Sequence, residues 1–372
     1  MFQLDPRFVQ IAADPIAYAR QWKKQTGQPV IGTLCSYAPE EIVVAGGGLP
    51  LRLLTTGAGD QGADAHLQAY SCSLVRGALA DWLNGRLAEL DGIVFAHTCD
   101  SMQRLSDIWR LSRQGRFHAD VVWPATVAAP GAEAYGVEIL QAFAAAYGRH
   151  FHLAIAAPAL AAAAAIYNRI RDRLRRLYAL RREQPGVMPG RDWLAVMRTA
   201  MVMDRSILAE ALDSLVSALE QETAAPAAGK RLVLAGGVCE APAIYDVIEA
   251  AGATVVWDDL CTGWRYAAGH IEPLDEIWTA LARRYLQRSV CPAKHAGLTR
   301  RADDLIEAAR LAKADGVIFL FLKFCDPHLF DYPYLKQRLD AAGLPCLMVE
   351  LEDQRAAEGQ LRTRCEAFIE ML

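Results

Sequence analysis

The run GVIFLFL at residues 316–322 constrains the fold more than any other stretch. It has no polar residue for water to wet, so it reads as a strand covered on both faces. Similar short runs recur: PVIGTLC (29–35), LPLRLL (49–54), GIVFAHTC (92–99), RLVLAGG (231–237), ATVVWDD (253–259) and LPCLMVE (344–350). Segments with apolar residues at helical spacing separate them, including SLVRGALADWLNGRLAEL, SMQRLSDIWRLSRQ, APAIYDVIEAAG, YPYLKQRLDAAG and GQLRTRCEAFIEML. Strand, helix, strand at this rhythm implies crossover units and parallel sheets, hence an α/β fold.

The alternation stops in the middle of the chain. Residues 131–222 carry helical periodicity nearly throughout, broken at QPGVMPG (184–190), where prolines and glycines end a helix. The segment TAAPAAGK (223–230) reads as a linker. The expected organisation is an N-terminal α/β domain at 1–130, a helical region at 131–227 and a C-terminal α/β domain at 228–372, each α/β domain an open doubly wound parallel sheet.

Composition narrows the function classes. Of 372 residues, 22% are charged and 53% hydrophobic, with a net charge of −4. That is an ordinary soluble balance with no electrostatic footprint for nucleic acid. The basic stretch RIRDRLRRLYALRRE (169–183) reads as a solvated helix face. The Ala-rich stretch FHLAIAAPALAAAAAIY (151–167) contains Pro158 and is short for a bilayer span, so a packed helix is expected. The opening MFQLDPRFVQ lacks the features of a signal peptide. Together these predict a cytoplasmic protein with no membrane or nucleic-acid partner, in a compartment where disulfides are disfavoured.

Nine cysteines in such a chain need another explanation. Cys35, Cys99, Cys239, Cys261 and Cys325 fall at or just beyond the carboxyl ends of predicted strands, the edge where ligand sites of open α/β sheets gather. Cys72 falls at a predicted helix start, where the helix dipole favours thiolate. Cys346, within a strand, and Cys365, on the last helix, read as core packing, and Cys291 is left in a loop. No two cysteines form a C-x-x-C pair, so zinc ribbons, thioredoxin-like motifs and ferredoxin runs are excluded. A metal site here has to be assembled from distant loops, and soft thiolates on strand-end loops suit an iron–sulfur cluster. The bland alternative is that the thiols only pack. His97, two residues before Cys99, raises a Cys/His nucleophile pair, but no third group is in view to orient it.

Five segments then show a resemblance. HTCDSMQRLSDIW, GGVCEAPAIYDVIEAAGATVVWDDLCTGWRY, KFCDPHLFDYPYLKQRLDAAGLPCLMVELE, the closing GQLRTRCEAFIEML and the opening IGTLCSYAPEEIVVAGGGLPLRL resemble the iron–sulfur subunits of the 2-hydroxyacyl-CoA dehydratase and benzoyl-CoA reductase family. The likeness runs from Pro29 to the C-terminus and is weakest through the Ala-rich middle. It implies two Rossmann-like domains plus helices, with a [4Fe–4S] cluster held in the inter-domain cleft by Cys72, Cys99 and Cys325. Three ligands leave one iron open to water or a substrate carbonyl oxygen.

The resemblance also implies partners: a homologous cluster-binding subunit in a heterodimer, and an ATP-hydrolysing activator with its own [4Fe–4S] cluster. The substrate is an acyl-CoA, either dehydrated through a ketyl radical or, for benzoyl-CoA, reduced to a dienoyl-CoA. The segments DDLCTGWRY and KFCDPHLFDYP look closer to benzoyl-CoA reductase. A further branch, double-cubane proteins, needs extra cysteine ligands, for which Cys239 and Cys261 are the candidates. Alternatively, the chain is a relay or structural partner of a catalytic subunit. His328 is the candidate catalytic residue, as proton relay or hydrogen-bond donor to a cluster sulfur, against the reading that Asp326, Pro327 and His328 only turn the chain. Arg265 and Lys323 are candidates for CoA phosphates.

Overall fold

The computed structural model describes residues 2–54, 62–112, 115–222, 229–240, 242–273, 276–297, 299–352 and 358–372. The expected linker at 223–230 lies for the most part outside them. Two helices, α1 (Pro6–Ala13) and α2 (Pro15–Thr26), precede the first sheet. Each starts on an aspartate whose carboxylate takes a backbone N–H, followed by a proline that has none to lose.

The first sheet is built from β1 (Val30–Thr33), α3 (Glu40–Ala45), β2 (Leu49–Arg52), α4 (Ser73–Leu83), β3 (Gly92–Ala96), α5 (Asp100–Ser112) and β4 (Phe117–Val121). A helical layer follows: α6 (Ala132–Phe151), α7 (Ala157–Glu183), α8 (Gly190–Ala200) and α9 (Arg205–Gln221). The break between α7 and α8 falls at the Pro/Gly segment 184–190. The second sheet and its helices comprise β5 (Lys230–Gly236), α10 (Pro242–Ala250), β6 (Ala253–Asp259), α11 (Trp264–Ala267), α12 (Ile277–Gln287), α13 (Arg300–Leu311), β7 (Gly316–Leu322), α14 (Asp326–Ala341), β8 (Cys346–Leu351) and α15 (Glu358–Met371).

Both sheets are all-parallel and share one plan, with order β2-β1-β3-β4 in the first and β6-β5-β7-β8 in the second. The central strands β3 and β7 are buried along their whole length, which is why their sequences carry no alternation. The edge strands β4 and β8 are only partly covered. In each sheet the chain leaves the first strand to one side and returns on the other. The switch points therefore lie between β1 and β3 and between β5 and β7, where crevices open beyond the carboxyl ends. One apolar core, running from Leu4 to Ile369, contains residues of both sheets, among them Leu51, Phe95, Leu234 and Phe319.

Two local expectations are corrected. The basic stretch at 169–183 is not a wholly solvated face: Arg171 and Arg181 are buried, Arg171 against Glu41 and Arg181 on the Val255 carbonyl at 2.7 Å. Their outward neighbours Arg169 and Arg173 pair with Asp213, and Arg176 pairs with Glu183 and Glu220. Likewise, Asp326, Pro327 and His328 do not form a free turn. They are the first residues of α14, with proline in its tolerated position. The turn is made one step earlier by Phe324, which takes a left-handed φ of 65°. Among the described residues, no helix is long and apolar enough to cross a membrane.

Candidate functional site

Cys99 and Cys325 stand just beyond the carboxyl ends of β3 and β7, one at each switch point. Cys72 comes from the segment before α4. All three occupy the same local position. The carbonyl of Cys72 accepts from Val75 and Arg76, that of Cys99 from Gln103, and that of Cys325 from His328 and Leu329. Each cysteine is thus the residue whose carbonyl takes a helix's first bonds, at the N-termini of α4, α5 and α14. The side chains of Cys72 and Cys325 make no cap hydrogen bond of their own, which leaves both sulfurs free beside a helix start. Three helix N-termini therefore converge on three thiols, each bringing partial positive charge.

The thiols line one cavity of about 560 Å³, together with Lys294, Arg301 and Phe330. Lys294 and Arg301 are held at its wall, Lys294 on the Trp123 carbonyl at 2.8 Å and Arg301 on Asp331 at 2.6 Å. Phe330 is 85% exposed. Burial pushes the Cys99 thiol up to about 12, with Cys72, Cys35 and Cys291 adding to the shift. Burial also raises Cys325, with Cys72 and Cys99 adding, and it raises Cys72 itself. The expectation of a dipole-lowered thiol at Cys72 is overturned: it does sit at a helix start, but desolvation outweighs the N–H groups.

The donor set suits an iron–sulfur cluster better than a single ion. Among the described residues, no three His, Cys, Asp or Glu side chains are grouped closely enough to hold one metal ion. In a cluster each thiolate binds a different iron, so its ligands stand wider apart than those of one tetrahedral ion. Three thiols from separate segments facing one cavity are soft donors of the kind such a cluster takes.

A second group of thiols comprises Cys35, Cys261 and Cys291. Burial pushes Cys291 up to about 11, with Cys261 and Cys35 raising it and Arg265 lowering it. Cys99 is also raised by Cys35 and Cys291, and Cys325 by Cys261. Arg265 donates through Nη1 to the Cys261 sulfur at 3.5 Å, while Nε and Nη2 hold Asp259 at 2.8 and 2.6 Å. Sequence position leaves Cys291 unassigned because it belongs to no strand end. Its loop is brought in by tertiary bonds, including the bridge between Thr126 and His295. Cys239 is fully buried, and its backbone is pinned on both sides by Thr262 Oγ1 at 3.1 and 3.0 Å.

The remaining candidates fall elsewhere. His328 is buried, its ring tilted against that of Phe321 with centroids 5.4 Å apart, and its Nε2 lies 3.6 Å from where a Cβ on Gly237 would sit. Burial, then Arg265 and Arg301, holds it well below its usual range, as a neutral imidazole. Arg265 is spent on Asp259 and Cys261 and is 1% exposed, so it is not available to a CoA phosphate. Lys323 pairs with Glu352 at 3.2 Å. His97 turns to Asp120 at 2.8 Å rather than to Cys99.

Two parallel α/β sheets with cysteines at their switch points define a class of two-sheet α/β proteins. The chain matches the family described as 2-hydroxyglutaryl-CoA dehydratase, D-component, over residues 35–372. It is 27% identical over 372 residues to the (R)-phenyllactyl-CoA dehydratase beta subunit of Clostridium sporogenes, covering 98% of this chain and 97% of that one. It is 27% identical over 373 residues to one of the benzoyl-CoA reductase subunits of Thauera aromatica, covering 95% and 94%. The beta subunit of (R)-2-hydroxyglutaryl-CoA dehydratase from Acidaminococcus fermentans is 26% identical over 376 residues, covering 98% of each. The chain belongs to this family of acyl-CoA dehydratase and reductase subunits.

Proposed function

We propose that Cys72, Cys99 and Cys325 hold a [4Fe–4S] cluster and that the chain is one cluster-holding subunit of an enzyme acting on a CoA thioester. The observation that carries this reading is the convergence of three thiols, each at a helix N-terminus, on one cavity. When bound, the group supplies low-potential electrons one at a time. The chain's own residues do the rest. The N-termini of α4, α5 and α14 bring partial positive charge beside the sulfurs. The rigid strand ends of β3 and β7 fix two ligands from opposite sheets. Phe324 and Phe330 line the cavity, whose volume lies in the range of small-molecule sites. A homologous subunit and an ATP-hydrolysing activator complete the enzyme on this reading.

Within the class, DDLCTGWRY and KFCDPHLFDYP favour ring reduction of benzoyl-CoA to a dienoyl-CoA. Dehydration of a 2-hydroxyacyl-CoA is the activity named for two of the three relatives above. Anaerobic purification with co-purifying subunits, followed by assay with benzoyl-CoA and with a 2-hydroxyacyl-CoA, separates the two. Iron and sulfide analysis and EPR on the same sample test the cluster itself. About four irons per chain are expected, falling sharply in Cys99→Ala and Cys325→Ala. A colourless, iron-free protein with full activity would sink the reading.

The second thiol group supports another member of the class, a double-cubane type reducing small molecules. Cys35, Cys261 and Cys291 would supply the extra ligands, with Cys291 in place of Cys239. Iron analysis decides between them: about eight irons per chain, lowered by Cys291→Ala, favours the double cubane.

A further inference from the structure

The first sheet ends on an unanswered charge. Arg52, the last residue of β2, is 1% exposed, and none of its three guanidinium nitrogens has a hydrogen-bond partner. Only its backbone N–H is tied, to the Met201 carbonyl at 3.1 Å. Opposite it in the parallel register stands Thr33, the last residue of β1, which is fully buried with an equally unpartnered hydroxyl. Register partners on adjoining strands face the same side of a sheet. The other side belongs to Gly32, whose added Cβ would meet Leu53 at 3.1 Å. The guanidinium and the hydroxyl therefore share one face, at the carboxyl edge where ligands of such sheets bind.

Other buried arginines in this interior are answered. Arg205 holds Glu40, Arg171 holds Glu41, Arg265 holds Asp259, and Arg181 holds the Val255 carbonyl. Among the buried arginines of the described residues, Arg52 alone has every guanidinium nitrogen unpartnered. An uncompensated buried cation is among the most unfavourable groups a fold can keep.

We propose that Arg52 and Thr33 form a binding site for a small monoanionic carboxylate. The guanidinium fork meets a carboxylate through paired N–H groups, and the hydroxyl adds a third donor. One negative charge neutralises Arg52, whereas a phosphate dianion would leave an uncompensated charge in the same dry space. The competing arrangement is internal: Glu40 Oε1 is also unpartnered, and a shifted side chain could bring it to Arg52.

Thermal unfolding of the full chain tests this in sodium acetate, sodium phosphate and sodium chloride at matched pH and ionic strength. Acetate is expected to give a saturable rise of a few degrees over chloride, and phosphate a smaller one. Arg52→Met should abolish the acetate rise and unfold at a higher temperature than the parent in chloride, because the unpaired charge is gone. Thr33→Val should reduce the rise. The site is refuted if acetate and chloride act alike on the parent, or if phosphate matches acetate. It is also refuted if Arg52→Met is less stable than the parent in chloride, the result expected when Glu40 already answers the charge. These readouts do not depend on iron, so they fail or succeed separately from the cluster reading.

Discussion

At the scale of single residues, the interior between the first sheet and the helical layer is held by ion pairs whose partners are far apart in sequence. Glu41 on α3 is fully buried and receives Arg171 of α7 and the Tyr285 hydroxyl of α12 at 2.6 Å. Burial by itself pushes this carboxyl up. Arg171 and Arg284 reverse that and, with the Tyr285 bond, bring it from 4.5 down to about 2. A carboxyl lowered on folding stabilises the fold above its unfolded value and loses that contribution as pH falls through its folded one. The window here runs from about 4.5 down to about 2. Glu41→Gln should destabilise by about 3–5 kcal/mol near neutrality, since it leaves Arg171 buried without its charge partner. Urea unfolding at pH 7 and again near pH 3 checks this. The gap between parent and variant should narrow at the lower pH, and a gap that stays constant would refute the assignment.

At the scale of elements, the proposed ligands are also helix caps, so fold and ligation can be separated by one atom. Serine is a strong N-cap, and its hydroxyl can take a first-turn N–H that the sulfur leaves free. Cys72→Ser, Cys99→Ser and Cys325→Ser should therefore keep far-UV helicity and the unfolding midpoint close to the parent while iron content falls. Loss of helix with loss of iron would mean that the thiols are structural. The loop carrying Cys261 depends on a close approach. A Cβ on Gly263 would sit 1.8 Å from Asp258 Oδ1, the atom that accepts from the Trp264 N–H at 2.8 Å. Gly263→Ala should cost about 2 kcal/mol or more by displacing that buried carboxyl, measured by urea unfolding. Much of this level is legible in the sequence. Continuous apolar runs identify β3 and β7, and the cysteines that follow them are placed at the sheet edge by position alone. What is not legible is set by tertiary partners: Cys291 reaches the other thiols through its loop's bonds to residues 125–127, and burial decides the direction in which Cys72 shifts. The turn at Phe324 is equally hidden, because a left-handed aromatic has no sequence signal.

At the scale of the whole molecule, the two sheets are alike in plan but not independent in packing. A sequence reading of alternation, helices and alternation again leads naturally to three units. The structure joins them by an apolar cluster that contains residues of both sheets and the helical layer, and by ties that cross between them. Tyr266, after β6, donates to Glu40 of α3 at 3.0 Å, Arg205 of α9 holds the same carboxylate at 3.1 Å, and Arg288, just after α12, reaches Ser36 beside β1 at 3.1 Å. Cutting the chain between the units would strand these charges in the interior of each piece, where each unpaired charge is strongly destabilising. The thiols make the same demand, since Cys99 and Cys325 share a cavity only while both sheets hold their relative position. The expected outcome is one cooperative unfolding transition for the metal-free chain, with calorimetric and van't Hoff enthalpies in agreement. Glu41→Gln should shift that transition without splitting it. Two resolved transitions in the parent would show that the sheets unfold separately, and the cavity between the thiols would then be a docking of two stable halves rather than a feature of one fold.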